Sequence, residues 1–255
     1  MTFTPASKCQ KCSLYSEAGN FCDHLSNQEL QNLSSESRTA TLKRGETIAG
    51  EALKTWPVVA IASGVLSMQH LLEDGRKTIA AFFMQGDIID LRGISNRNRG
   101  HLIALKNTDI CRLSPIAFEG IMLSNAGAQH MVWGNLREQA YRAIDHSADL
   151  AKKKALEKLA SFIFECRHRQ IEFEIGGDVH IPVRRVDLAE YLGMQPETVS
   201  RCFRILEERD IIDFVSISQI KIRSVPVLRR IANGENTAVN VHQAEEDHFK
   251  VLSFG

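Results

Sequence analysis

No proline interrupts the 66 residues between Pro115 and Pro182, and that gap divides the chain into two textures. Proline breaks helices by removing a donor and clashing with the preceding turn, so a long proline-free stretch leaves room for long helices. Upstream, apolar runs of strand length alternate with turn signals. Trp56–Ala62 is followed by Ser63-Gly64, Val65–Leu72 by Glu73-Asp74-Gly75, and Thr78–Met84 by Gln85-Gly86-Asp87. Runs of this size at regular spacing predict an antiparallel sandwich or roll over about 38–114. Asp74-Gly75 is a hairpin turn signal, because glycine tolerates positive φ.

Residues 116–152 read as helix, with possible interruption at Gly120, Gly127 and Gly134. Trp133, Leu136, Ala140, Ala143, Ser147 and Leu150 recur at alternating steps of three and four. That is the seam of a helix that pairs with another. Its residues are mostly small, so the expected homodimer is marginal and open to switching. Asp145 and Asp149 are expected near the seam, where like charges would hold an unliganded pair apart. Residues 153–168 form a second helical stretch, with Leu156, Leu159, Phe162 and Ile163 on one face.

Val183 to Asp210 predicts two short helices meeting at Leu192-Gly193-Met194. Val199, Phe203 and Leu206 make the buried stripe of the second, and Pro196 falls at its first position, where its missing N–H costs nothing. Short amphipathic helices joined by a glycine-containing turn make a helix-turn-helix. On the opposite face lie Glu197, Ser200, Arg201 and Arg204. Arginine donates two bonds to the guanine edge, glutamate accepts from the cytosine amine, and serine serves either. Double-stranded DNA is the partner these side chains suit. Ile211–Val215 and Gln219–Ile222 would form a wing, with Lys221 and Arg223 within reach of phosphates.

Thirty-one Lys and Arg balance thirty-one Asp and Glu, which at first discourages a nucleic-acid partner. The balance is uneven along the chain: residues 152–230 hold 15 basic and 12 acidic side chains. No apolar stretch is long enough to span a membrane and no signal-peptide core stands at the N-terminus, so a cytoplasmic protein without membrane contact is expected. Six cysteines in a reducing compartment point to metal or redox chemistry rather than disulfides. No Ser/His/Asp arrangement, Gly-rich phosphate loop or βαβ setting for Cys9-x-x-Cys12 is present, so no enzyme is expected. A helix-turn-helix that serves only protein contacts is the competing class, and DNA footprinting separates the two.

Taken in order, these features resemble the CRP/FNR superfamily of bacterial transcription regulators, over about residues 8–225. The most specific match is Tyr191-Leu192-Gly193 followed by Glu197-Thr198-Val199-Ser200-Arg201, similar to the recognition helix of the FNR branch. Pro196 stands where the cAMP-responsive branch has arginine, so the resemblance implies a TTGAT-type palindrome. Cys9-Gln10-Lys11-Cys12-Ser13 resembles the start of that branch's [4Fe–4S] site, which implies Cys9, Cys12, Cys22 and Cys111 as its four ligands. Nine residues separate Cys12 from Cys22, more than in the typical oxygen sensor. Zinc or haem are the alternative cofactors, and a regulator without a cluster, answering to nitric oxide or a small molecule, is the alternative function. Cys166 and Cys202 are expected to be structural. Gly86 is followed by Asp87, not Glu, and no Arg-Ser or Arg-Thr follows over 97–101, so the roll is not expected to bind a cyclic nucleotide. The hairpin Glu73–Lys77 would touch RNA polymerase.

The expected fold is therefore α+β: an N-terminal double-stranded β-helix (jelly-roll) sensor domain, a long dimerisation helix and a C-terminal winged helix-turn-helix. The expected boundaries are a cysteine-rich cluster-binding arm 1–25, a β-roll 26–115, a dimerisation helix 116–152, a DNA-binding domain 153–230 and a flexible tail 231–255. The expected function is an oxygen- or redox-sensing transcription regulator that controls anaerobic or microaerobic genes.

Overall fold

The computed structural model describes residues 9, 12, 14, 20–48, 55–71, 73–92, 100–172 and 178–235. Arg97, Asn98, Arg99, most of the arm before residue 20 and the tail beyond 235 lie outside the described residues. The chain divides into two compact units, 1–144 and 145–255.

The first unit opens with a 3₁₀ turn, Phe21–His24, and helix α1, Asn27–Glu36. Eight strands follow: β1 Arg38–Leu42, β2 Thr47–Ile48, β3 Val58–Ser63, β4 Val65–Leu71, β5 Lys77–Met84, β6 Ile88–Asp90, β7 Gly100–Ala104 and β8 Thr108–Leu113. They form two antiparallel four-stranded sheets, ordered β1-β8-β3-β6 and β2-β7-β4-β5. The three apolar runs of the sequence are β3, β4 and β5, within two residues of their expected limits. Gly75 lies in the β4–β5 hairpin with φ +84°, as the Asp-Gly signal requires.

Strand β3 is apolar from Val58 to Ala62 because both of its faces are covered there. Val59 and Ile61 join Leu66, Phe83, Leu102 and Ile110 inside the roll. Val58, Ala60 and Ala62 face outward into a second core with Leu14, Phe21, Leu33, Phe118, Ala128 and Val132. The period-2 alternation of a half-exposed strand therefore vanishes. Each such fully buried aliphatic side chain contributes about 1.5–3 kcal/mol.

Residues 116–152 are two helices, not one. Helix α2 spans Pro115–Ser124 and α3 spans Ala126–Lys152, and the break falls at Asn125 rather than at a glycine. Asn125 leaves the helical region and its side chain accepts from the Ala128 N–H, capping α3. A polar clamp fixes α3 to the β5–β6 turn. Arg142 pairs with buried Asp87 at 3.1 Å, Asn135 accepts from the Ile88 N–H, and Gln139 donates to the Ile88 carbonyl.

The second unit begins within α3. It continues with α4 Ala155–Glu172, β9 Val179–His180, α5 Arg185–Leu192, α6 Pro196–Glu208, β10 Ile212–Phe214, β11 Gln219–Ile222 and α7 Val225–Ala232. The wing pair β10–β11 is extended to three strands by β9, ordered β10-β11-β9. Two residues are too few to show a period, so β9 left no signal in the sequence. Among the described residues no helix is long and apolar enough to cross a membrane.

Candidate functional site

Two groups of side chains carry the chemistry. In the second unit, Gly193 closes α5 in the left-handed region at φ +61°, a conformation that favours glycine. The turn to α6 is thereby fixed. Pro196 is the first residue of α6, as the sequence indicated, and Gln195 offers no side-chain cap. Val199, Phe203 and Leu206 are buried, together with Cys202. Glu197, Ser200, Arg201 and Arg204 are all exposed on the opposite face. The Ser200 hydroxyl donates to the Pro196 carbonyl at 3.0 Å, which leaves its oxygen as an acceptor. Lys221 is exposed on the wing, whereas Arg223 is ion-paired with Asp213. Cys202 and the fully buried Cys166 have thiols pushed up by burial, which makes them inert.

Arg185 is a residue the sequence reading missed. Its guanidinium lies 3.2 Å from the centre of the Phe203 ring and 5.5 Å from that of Phe214. Burial lowers its pKa to about 10. No carboxylate faces it among the described residues, so it holds a cation at the start of α5, against the middle of α6. The sequence signal was weak, because an Arg-Arg pair before a helix looks solvated.

In the first unit, Cys9, Cys12, Cys22 and Cys111 line one cavity of about 30 Å³. Three chain segments bring them there. The Cys9 carbonyl accepts from the Cys12 N–H at 3.1 Å, Cys22 sits in the 3₁₀ turn, and Cys111 sits on β8 opposite Thr39 and Ala60. Leu14, Leu30, Leu33 and Leu113 supply an apolar wall. Burial pushes the Cys22 thiol far above its ordinary value, and the neighbouring thiols of Cys111, Cys12 and Cys9 add to the effect. None of the six cysteines is in a disulfide. Among the described residues no three His, Cys, Asp or Glu side chains already stand as a formed metal site. The donor set is nonetheless all sulfur, in a largely apolar lining, which suits iron–sulfur or zinc and few other groups.

The α3 stripe is only partly as the sequence suggested. Trp133, Ala140, Ala143, Ser147 and Leu150 are exposed, with Trp133 at 62%. Leu136 is half-buried and packs on the core of its own unit. Tyr141 and Ile144, which the three–four count passed over, are exposed large apolar residues. Asp149 pairs with Lys153 at 2.6 Å along the helix, so it does not present a bare charge to a partner. At the β5–β6 turn, the Asp87 carboxylate serves Arg142 and the Met84 N–H.

Comparison with known proteins agrees with this geometry. Residues 157–231 match the Crp-like helix-turn-helix domain. The fumarate and nitrate reduction regulatory protein of Shigella dysenteriae is 30% identical over 207 residues, 76% of this chain and 78% of the relative. The chain belongs to the CRP/FNR family. Its members are transcription regulators, not enzymes, and DNA binding and dimerisation follow from membership. The nitrogen fixation regulation protein FixK of Bradyrhizobium diazoefficiens is 28% identical over 208 residues, 81% of this chain and 86% of that one. The structure of FixK2 from Bradyrhizobium japonicum superposes with a TM-score of 0.63 at 26% identity, covering 80% of this chain and 99% of that one. A CooA mutant from Carboxydothermus hydrogenoformans shares the fold, with a TM-score of 0.62 at 16% identity, over 78% and 88% of the two chains.

Proposed function

We propose that this CRP/FNR regulator senses oxygen or redox state through a [4Fe–4S] cluster and binds a TTGAT-type palindrome as a homodimer. The observation that carries the reading is the convergence of Cys9, Cys12, Cys22 and Cys111 on one apolar cavity. Those four thiolates would hold the cluster, and the bound group would supply an oxygen-labile iron–sulfur core. Burying several thiolates together is unfavourable without a compensating cation, which couples deprotonation of the site to loading.

Cys9, Cys12 and Cys22 come from the arm and Cys111 from the roll. Loading therefore ties the arm to the strand that runs into α2. The exposed stripe Trp133, Ala140, Ala143, Ser147 and Leu150 supports pairing of α3 with a second copy, with Leu136 at its edge. A dimer places two copies of α6 about one DNA turn apart. Glu197, Ser200 and Arg201 would read base edges, with Arg204 and Lys221 toward the backbone. The exposed hairpin Glu73–Lys77 is the surface for RNA polymerase in activation.

A single zinc ion on the same four thiolates is the second reading, because an all-sulfur donor set suits it as well. Purification without air separates the two. The cluster reading expects a brown protein with broad visible absorption, iron and acid-labile sulfide, all lost in air. A colourless zinc-loaded sample would overturn it. Cys111→Ala should abolish anaerobic DNA binding; retained binding would remove Cys111 from the ligand set.

A further inference from the structure

Helices α1 and α2 run antiparallel and are fastened at both ends by polar side chains. At one end the Ser114 hydroxyl, which caps α2, donates to Glu36 at 2.7 Å, and the Ser114 N–H donates to Ser37 Oγ. At the other end stands Asn125, where α2 stops and α3 starts. Its Oδ1 accepts from the Ala128 N–H at 2.9 Å and so caps α3. Its Nδ2 donates to the His24 carbonyl at 3.0 Å and to both oxygens of Glu29, at 3.2 and 3.0 Å. Glu29 is itself locked in a capping box with Ser26. These bonds hold the Glu29 carboxyl below the usual carboxylate range, Ser26 contributing most.

The thiol-bearing segments enter this frame at its two ends. Cys111 lies three residues before Ser114, and Cys22 lies in the same 3₁₀ turn as His24. One side chain therefore joins the turn carrying Cys22 to the first turn of α3. The first N–H groups of a helix have no partners within it, so losing the cap frays α3 at its start.

We propose that Asn125 is a positioning residue that couples the thiol-bearing arm to the start of α3, so that occupancy of the sulfur site sets how firmly that turn is held. This rests on the sulfur-site reading above. Asn125→Asp keeps the capping oxygen and removes the amide donor. Asn125→Ser does the same without adding a charge beside Glu29, and guards against a variant that fails to fold. The full chain is reconstituted anaerobically with ferrous iron and sulfide, and hydrogen exchange is followed by mass spectrometry in loaded and bare samples.

In the wild type, loading should slow exchange at the start of α3 by about tenfold. Both variants should take up iron and sulfide as the wild type does, yet show no slowing at α3. In the bare chain both should exchange faster than wild type over residues 21–25. A variant whose α3 responds to loading like the wild type overturns the proposal. So does wild-type exchange over 21–25 in both bare variants. A wild type that takes up no iron or sulfide defeats the sulfur-site reading instead, and the bare-chain comparison then judges the coupling alone.

Discussion

Arg201 and Arg185 carry the same charge in the same unit, but their surroundings assign them different work. Arg201 is exposed on the face of α6 opposite its buried stripe, where the proposed function has it read a base edge. Arg185 is wedged against Phe203 and Phe214 and has no anion facing it among the described residues. A partly desolvated cation at the start of a helix-turn-helix suits the phosphate backbone, which carries affinity but no sequence. Arg201→Ala should therefore cost about 1–3 kcal/mol at one base position. Arg185→Met should weaken all sequences alike and lower the salt slope by about one. Anisotropy titrations on duplexes varied at each position, at several salt concentrations, check both. A uniform loss for Arg201→Ala, or a single-position loss for Arg185→Met, would exchange the two roles. The face of Arg201 was legible in the sequence because helical spacing alone defines it. The wedge at Arg185 was not, because Phe214 arrives from the wing, 29 residues downstream.

At the scale of the element, α3 offers two exposed candidates, Ala143 and Ile144, for one position of the expected seam. Counting alternate threes and fours places Ala143 on the seam. A straight helix of 3.6 residues per turn drifts against that count, and 11 residues after Trp133 it returns to nearly the same direction at Ile144. Ile144 is 62% exposed and branched, so it offers a partner helix far more apolar surface than Ala143. Ile144→Glu should raise the dimer dissociation constant by at least about tenfold, since it sets like charges across a pair. It should leave thermal stability nearly unchanged, because exposed substitutions stay within about 0.5 kcal/mol. Sedimentation equilibrium and thermal melting check the two halves. An unchanged dimer constant would place the interface elsewhere. The break at Asn125 was hidden for a related reason: asparagine is only a modest helix breaker, and its role depends on His24 and Glu29, about a hundred residues upstream.

Across the whole molecule, the order of roll, helix and winged helix-turn-helix was legible, since each element has its own period and punctuation. The thiol cavity was legible only through family resemblance: spacing alone cannot say that Cys111 meets an arm some ninety residues before it. Least visible was how the end of α3 packs inside the second unit, to which it belongs. There the His146 ring stacks on Tyr191 at 3.8 Å, and Phe162 meets Tyr191 edge-on. His146 Nε2 is buried with no hydrogen-bond partner among the described residues. Burial lowers the pKa of His146; Asp149 opposes this and Lys158 adds to it. The unfolded chain, near pKa 6.5, thus binds a proton that the folded state rejects. Stability from this contact is complete above that value and declines as pH falls through it. His146→Phe keeps an aromatic ring on Tyr191 and removes the titration. Urea midpoints measured between pH 8 and pH 5 should fall further for the wild type than for His146→Phe, and the two curves should diverge below about pH 6.5. Parallel curves would mean that the imidazole is solvated, and that the stack does not hold α3 against α5.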